Sequence, residues 1–203
     1  MVSVQVPEYK IADKVTLDSS KTAVIVVDMQ NDFVHPKGAL FVPEAEKTIP
    51  VIKKLLEKAR EKNVLIIYTA DSHMKKDIEF DIWGKHAIEG TWGWEIHEDL
   101  KPQEDDIIIR KLRYDAFFGT PLDHLLRINK IENIVIAGTV ANICVLHLAG
   151  SAALRGYKVY LVIDGVSALN EFDKHATFRQ VDFLYNCLLY TSDAADEGIG
   201  VKL

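Results

Sequence analysis

Ile134-Val-Ile-Ala-Gly-Thr-Val-Ala-Asn-Ile-Cys144 decides how the rest of the chain is read. An apolar run, a glycine, a short turn and a cysteine predict a buried strand that hands over directly to a helix. The helix is predicted over Val145 to Arg155, a stretch rich in Leu and Ala that stops at Gly156, where a glycine ends a helix without steric cost. A thiol at such a start sits among unpaired N–H groups and the positive end of the helix dipole, which favours thiolate. The competing reading is plainer: a lone free cysteine is most often a small buried core residue.

Two flanking stretches tip the balance. Thr22-Ala-Val-Ile-Val-Val-Asp28 is an apolar strand ending in an acid, and Asp106-Ile-Ile-Ile-Arg-Lys111 is another ending in a lysine. An acid, a lysine and a cysteine therefore each stand at or just past the C-terminal end of a predicted strand, the edge of an open parallel sheet where ligand sites form. Taken singly, Asp28 could be a turn-capping acid and Lys111 a solvated strand end.

Outward from these strands the pattern alternates. Val34 to Gly38 reads as a turn, and Pro43 to Asn63 as an amphipathic helix with its stripe through Ile49, Ile52, Leu55 and Leu56. Val64 to Thr69 reads as the second strand, Thr120 to Lys130 as a short helix, Lys158 to Ile163 as a strand, and Phe172 to Leu184 as the last full helix. Strand–helix alternation with right-handed crossovers predicts a single-domain α/β fold, a three-layer α/β/α sandwich around a mostly parallel central sheet. No repeat or linker divides the chain.

Composition agrees with that class. The 203 residues suffice for one domain with a substantial core, and 48% hydrophobic and 27% charged residues are ordinary for a globular protein. A net charge of -6 speaks against a nucleic-acid surface. No apolar run approaches the ~20 residues of a membrane span. Met1-Val-Ser-Val-Gln-Val-Pro7 lacks the basic start and apolar core of a signal peptide, and two distant cysteines make no disulfide framework, so the expected location is cytoplasmic.

Val26-Val-Asp-Met-Gln-Asn-Asp-Phe33, Lys111-Leu-Arg-Tyr-Asp-Ala-Phe117 and Gly138-Thr-Val-Ala-Asn-Ile-Cys-Val145 follow one another in an order that carries a resemblance. Over about Leu17 to Tyr185 the chain resembles the isochorismatase-like cysteine hydrolase superfamily, a Rossmann-like fold, and within it is most similar to nicotinamidases. That resemblance implies that Asp28, Lys111 and Cys144 form a catalytic triad. It further implies a cis peptide between Thr139 and Val140, and an oxyanion hole from the Val140 and Cys144 amides. Cys144 would attack an amide carbonyl and Asp28 would carry the proton, while Lys111 holds both by charge.

A second constellation follows the second strand: Asp71-Ser-His73, then Glu79 and His86. Carboxylate and imidazole donors with room for water suit Zn, Mn or Fe(II). The resemblance implies that Asp71, His73 and His86 hold a divalent metal facing the substrate's ring nitrogen, with Glu79 a further candidate ligand. The chain departs from the nicotinamidase pattern here, reading Trp83-Gly-Lys-His86-Ala87 where those enzymes commonly have Trp-Pro-x-His-Cys. Phe33, Trp83 and Tyr114 are expected as pocket walls for a flat heteroaromatic amide. His147 is expected to pack on its helix rather than serve the thiol.

Cys187-Leu-Leu-Tyr-Thr-Ser-Asp-Ala-Ala-Asp-Glu197 resembles the translation of a sequencing-library adapter read in frame. Residues 1–186 are therefore expected to be the hydrolase domain and 187–203 a non-native tail, whose Leu188 to Thr191 is still β-prone enough to stand in for a last strand. The expected activity is conversion of nicotinamide to nicotinate and ammonia through a thioester. The alternatives are an N-carbamoyl or ureide amidohydrolase, an isochorismatase cleaving a vinyl ether, and a catalytically silent binding or assembly subunit. No organic cofactor is expected. The partners implied are a small-molecule amide and a second copy of the chain as homo-oligomer, with no membrane and no nucleic acid.

Overall fold

A computed structural model describes residues 5–195, so the first residues and 196–203 of the proposed tail lie outside it. Seven strands form one wholly parallel sheet. They are β1 (Ile11–Ala12), β2 (Thr22–Val27), β3 (Leu65–Asp71), β4 (Ile107–Lys111), β5 (Asn133–Gly138), β6 (Lys158–Val166) and β7 (Leu188–Tyr190). Their order across the sheet is β1-β7-β6-β5-β2-β3-β4. The helices are α1 (Asn31–Val34), α2 (Ala45–Glu61), α3 (Phe80–Trp83), α4 (Leu122–Ile128), α5 (Leu146–Leu154) and α6 (Glu171–Tyr185).

Period-two alternation sorts the strand residues into two cores. Ala23, Ile25 and Val27 of β2 face the layer of α4, α5 and α6, where Leu122, Leu126, Leu148, Phe178 and Val181 are buried. Val24 and Val26 face α2, meeting Ile49, Ile52, Leu55 and Leu56 on the stripe its sequence predicts. The result is the three-layer sandwich expected, with every residue of β2 and β5 buried as strands covered on both faces must be.

Several boundaries differ from expectation. Strand β3 runs on to Asp71 and β6 to Val166, because pairing with neighbours outlasts the apolar run in the sequence. Leu188–Tyr190 does form the strand its β-prone character allowed, paired with both β1 and β6. The strand β1 and the one-turn helix α1 carry no clear signal in the sequence. No helix among the described residues is long and apolar enough to cross a membrane.

The order of strands positions the site. From β2 the chain crosses to β3 and β4 on one side, then to β5 and β6 on the other, so the direction of winding reverses between β2 and β5. The crevice at such a reversal opens beyond the carboxyl ends of the strands. Gly138 closes β5 there, at φ +124, and a Cβ on it would stand 2.2 Å from the Val27 carbonyl oxygen. Only glycine lets the two strand ends approach so closely.

Candidate active site

Three strand ends bring the predicted triad together. Asp28 follows β2 directly and sits in the left-handed region at φ 50, which turns its side chain under the sheet edge. Lys111 is the last residue of β4 and the register partner of Asp71 on β3. Its Nζ lies 2.8 Å from Asp28 Oδ2 and 3.5 Å from Cys144 Sγ, and it also donates to Asp71 Oδ1. Thr69 Oγ1 donates to Asp28 Oδ1 at 2.8 Å, fixing the face that the carboxylate presents. Asp28, Lys111 and Cys144 are respectively 1%, 2% and 6% exposed, so these charges act on one another with little screening by water.

Two expectations about Cys144 are corrected. It does not open an α-helix: Ala141–Val145 forms a π turn, with Val145 N–H bonded to the Val140 carbonyl, and α5 starts only at Leu146. A π turn is a local widening often found at functional sites. Nor does the environment favour thiolate. Burial pushes the thiol well above its ordinary value and the Asp28 charge adds to this, with Lys111 working the other way.

Its neighbours titrate to match. Burial raises the Asp28 carboxyl above its ordinary value, opposed by the Lys111 ammonium. Burial alone would lower Lys111, but the two carboxylates beside it outweigh that and hold it protonated. One cation thus serves two acids and a thiol. The Thr139–Val140 peptide is cis, and Val140 lines the cavity beside Ile143, the residue before Cys144.

The second constellation assembles next to the first. Ligand atoms of Asp71, His73 and His86 lie within 4.8 Å of one another, all three residues buried. His86 Nδ1 is 2.8 Å from the Gly84 carbonyl oxygen, which can only accept, so Nδ1 is the donor there and Nε2 is the nitrogen left to face a ligand. His73 Nδ1 is 3.1 Å from Asp77 Oδ2, while its Nε2 is buried with no partner among the described residues. Burial would raise the Asp77 carboxyl, but the Glu79 N–H, His73 and Arg113 together hold it at about 2, so it stays an acceptor. Two imidazoles preset to offer Nε2, one of them otherwise orphaned, fit a divalent ion. Glu79 is buried at the cavity wall but groups with His73 and Asp77, and Arg113 lies 3.4 Å from it.

A cavity of about 250 Å³ is lined by Asp71 and His86 of the second cluster and by Val140 and Ile143 from the stretch that leads to Cys144. Phe33, Trp83 and Tyr114 line it, joined by Phe41 and the lip residues Ala39, Leu40 and Val42. Trp83 Nε1 donates to the Tyr114 hydroxyl at 2.8 Å, locking two of the walls together. His147 is exposed, its ring beside Tyr114 and its Nδ1 2.7 Å from the Ile143 carbonyl oxygen. Sequence reasoning missed the residues that hold these groups. Gln30 is one: it donates from Nε2 to the carbonyls of Asp71 and Trp94 and accepts the Asp71 N–H on Oε1. The signal available was its place, with Asp32, inside the Asp28–Phe33 stretch.

The chain and its fold have relatives among known proteins. The isochorismatase domain profile matches residues 22–196. A ureidoacrylate amidohydrolase from Agrobacterium fabrum is 30% identical, the alignment covering 89% of this chain and 91% of that protein. Among solved structures, an isochorismatase-like hydrolase from Alkaliphilus metalliredigens superposes with a TM-score of 0.82 at 32% identity, covering 87% of this chain and 98% of that one. An N-carbamoylsarcosine amidase from Thermoplasma acidophilum gives 0.78 at 37% identity, over 85% and 97%. A zinc-bound pyrazinamidase from Pyrococcus horikoshii gives 0.80 at 33%, over 84% and 99%.

Proposed function

The chain is a hydrolase of the isochorismatase family, and from that premise we propose that it is a cysteine amidohydrolase acting on a small neutral heteroaromatic amide, nicotinamide foremost. The observation that carries the chemistry is the Lys111 ammonium held against Asp28 and Asp71 with the Cys144 thiol 3.5 Å away. Three features support the substrate. Phe33, Phe41, Trp83 and Tyr114 line the cavity, no lysine or arginine among the described residues lines it to receive a substrate carboxylate, and an orphaned imidazole nitrogen stands beside it.

The residues divide the work as follows. Cys144 Sγ bonds to the amide carbon while its proton passes to the Asp28 carboxylate. The Val140 and Cys144 amides receive the negative charge on the carbonyl oxygen. Collapse breaks the C–N bond, and Asp28 returns the proton to the nitrogen, which leaves as ammonia. Asp28 then takes a proton from water, whose oxygen attacks the thioester carbon, and the carboxylic acid leaves as Cys144 recovers its proton. Lys111 keeps Asp28 oriented and offsets charge as it moves between acid and sulfur. Asp71, His73 and His86 would hold a divalent ion, which when bound supplies a Lewis-acidic anchor for the ring nitrogen. Protein–substrate stacking against Phe33, Trp83 and Tyr114 would set the plane of the ring.

A second reading is hydrolysis of a ureide or N-carbamoyl acid, favoured by the likeness to the ureidoacrylate amidohydrolase over most of both chains. An ammonia-release screen over nicotinamide, pyrazinamide, ureidoacrylate and carbamoyl amino acids separates the two. Turnover of the pyridine and pyrazine amides alone is expected. Activity confined to the carbamoyl compounds would move the assignment to the second reading.

A further inference from the structure

The cavity lip at 39–42 and the backbone that follows His86 belong to different loops, yet one buried carboxylate is bonded to both. Asp32 Oδ1 accepts the Ala39 N–H at 3.0 Å and Oδ2 accepts the Ala87 N–H at 2.7 Å, while its own carbonyl accepts the Leu40 N–H at 2.9 Å. Ala87 sits in the left-handed region at φ 43, a conformation that an alanine keeps only where its surroundings impose it. The Ala87 carbonyl in turn accepts the His73 N–H at 3.0 Å, so a single chain of bonds runs from the lip through Asp32 to both imidazole-bearing segments.

We propose that Asp32 is a positioning residue that sets the distance between the cavity lip and the metal-ligand pair His73 and His86. The inference rests on the metal reading of that cluster. A carboxylate suits the task because it only accepts, and each of its oxygens meets a backbone N–H. Asparagine would turn an NH2 toward one of those donors and lose that bond. The carboxylate is also boxed in from outside, since a Cβ on Gly93 would lie 2.2 Å from it. Gly93→Ala therefore displaces the same carboxylate without changing Asp32.

The test compares wild type, Asp32→Asn and Gly93→Ala as full-length proteins. Zn2+ affinity is measured by competition with a chromophoric chelator, alongside kcat and KM for nicotinamide and the rate of Cys144 alkylation by iodoacetamide. In both variants Zn2+ affinity should fall by ~10–100-fold, as for removal of an outer-sphere partner, and KM should rise with it. The alkylation rate and kcat should stay near wild type, because the strand-end triad is untouched. Unchanged Zn2+ affinity beside a wild type that binds the ion overturns the role of Asp32 alone. Loss of alkylation in step with Zn2+ binding overturns it too, reducing Asp32 to support of the fold. A wild type that takes up no Zn2+ overturns it together with the metal reading. Should Asp32→Asn fail to fold, Gly93→Ala decides.

Discussion

The nucleophile end of the site and its metal-ligand wall are built in opposite ways. Asp28, Lys111 and Asp71 stand at the ends of neighbouring parallel strands, and the hydrogen-bonded ladder sets their spacing before any loop is placed. His73, His86, Glu79 and the 39–42 lip ride on loops, each tied by a buried acid: Asp77 for His73, Asp32 for the His86 segment. Asp71 belongs to both, bonded to Lys111 and aimed at the imidazoles. The contrast locates reactivity in the sheet edge and selectivity in the loops, which can change shape without disturbing the triad.

Removing a strand-end group should have the largest effect. Cys144→Ala and Asp28→Asn should each lower kcat by ~10^4 at every pH while circular dichroism stays unchanged, because one loses the nucleophile and the other the proton carrier. More than a few per cent of residual turnover in Cys144→Ala would break the thioester scheme. An attack on the loop wall should read differently. His73→Ala, or chelation, should raise KM for nicotinamide by ~10–100-fold yet change benzamide turnover little, since benzamide lacks the ring nitrogen. Equal effects on both amides would erase the distinction between the two regions.

The pH profile sharpens the strand-end account. Asp28 must be ionised to take the thiol proton, and burial raises its carboxyl above 3.8. Activity should thus be present above that raised value and lost as pH falls through it, an apparent constant of the coupled set. Burial pushes the thiol upward from its ordinary value, so no loss is expected on the alkaline side near neutrality. An acid limb of kcat/KM at or below 3.8 would contradict the environment described for Asp28. The smallest change concerns orientation alone. Thr69→Val removes one hydroxyl bond to Asp28, worth ~1 kcal/mol or about fivefold in kcat, and should leave Zn2+ affinity as it was.

The two cysteines make the limits of reading a chain concrete. Both are buried, and burial pushes Cys187 up to about 12, but only Cys144 stands against a lysine and an acid. Strand periodicity, apolar runs and their terminal residues were legible along the chain. They predict the parallel sheet, and they put Asp28, Lys111 and Cys144 on one edge, because a strand's pattern depends only on its near neighbours. The π turn at Cys144, the upward push of burial on its thiol, the sharing of Lys111 with Asp71, and the holding roles of Gln30, Asp32, Thr69 and Asp77 were not legible. Each depends on groups dozens of residues apart meeting where water is excluded, and burial and Coulomb forces sum over that whole neighbourhood rather than along the chain.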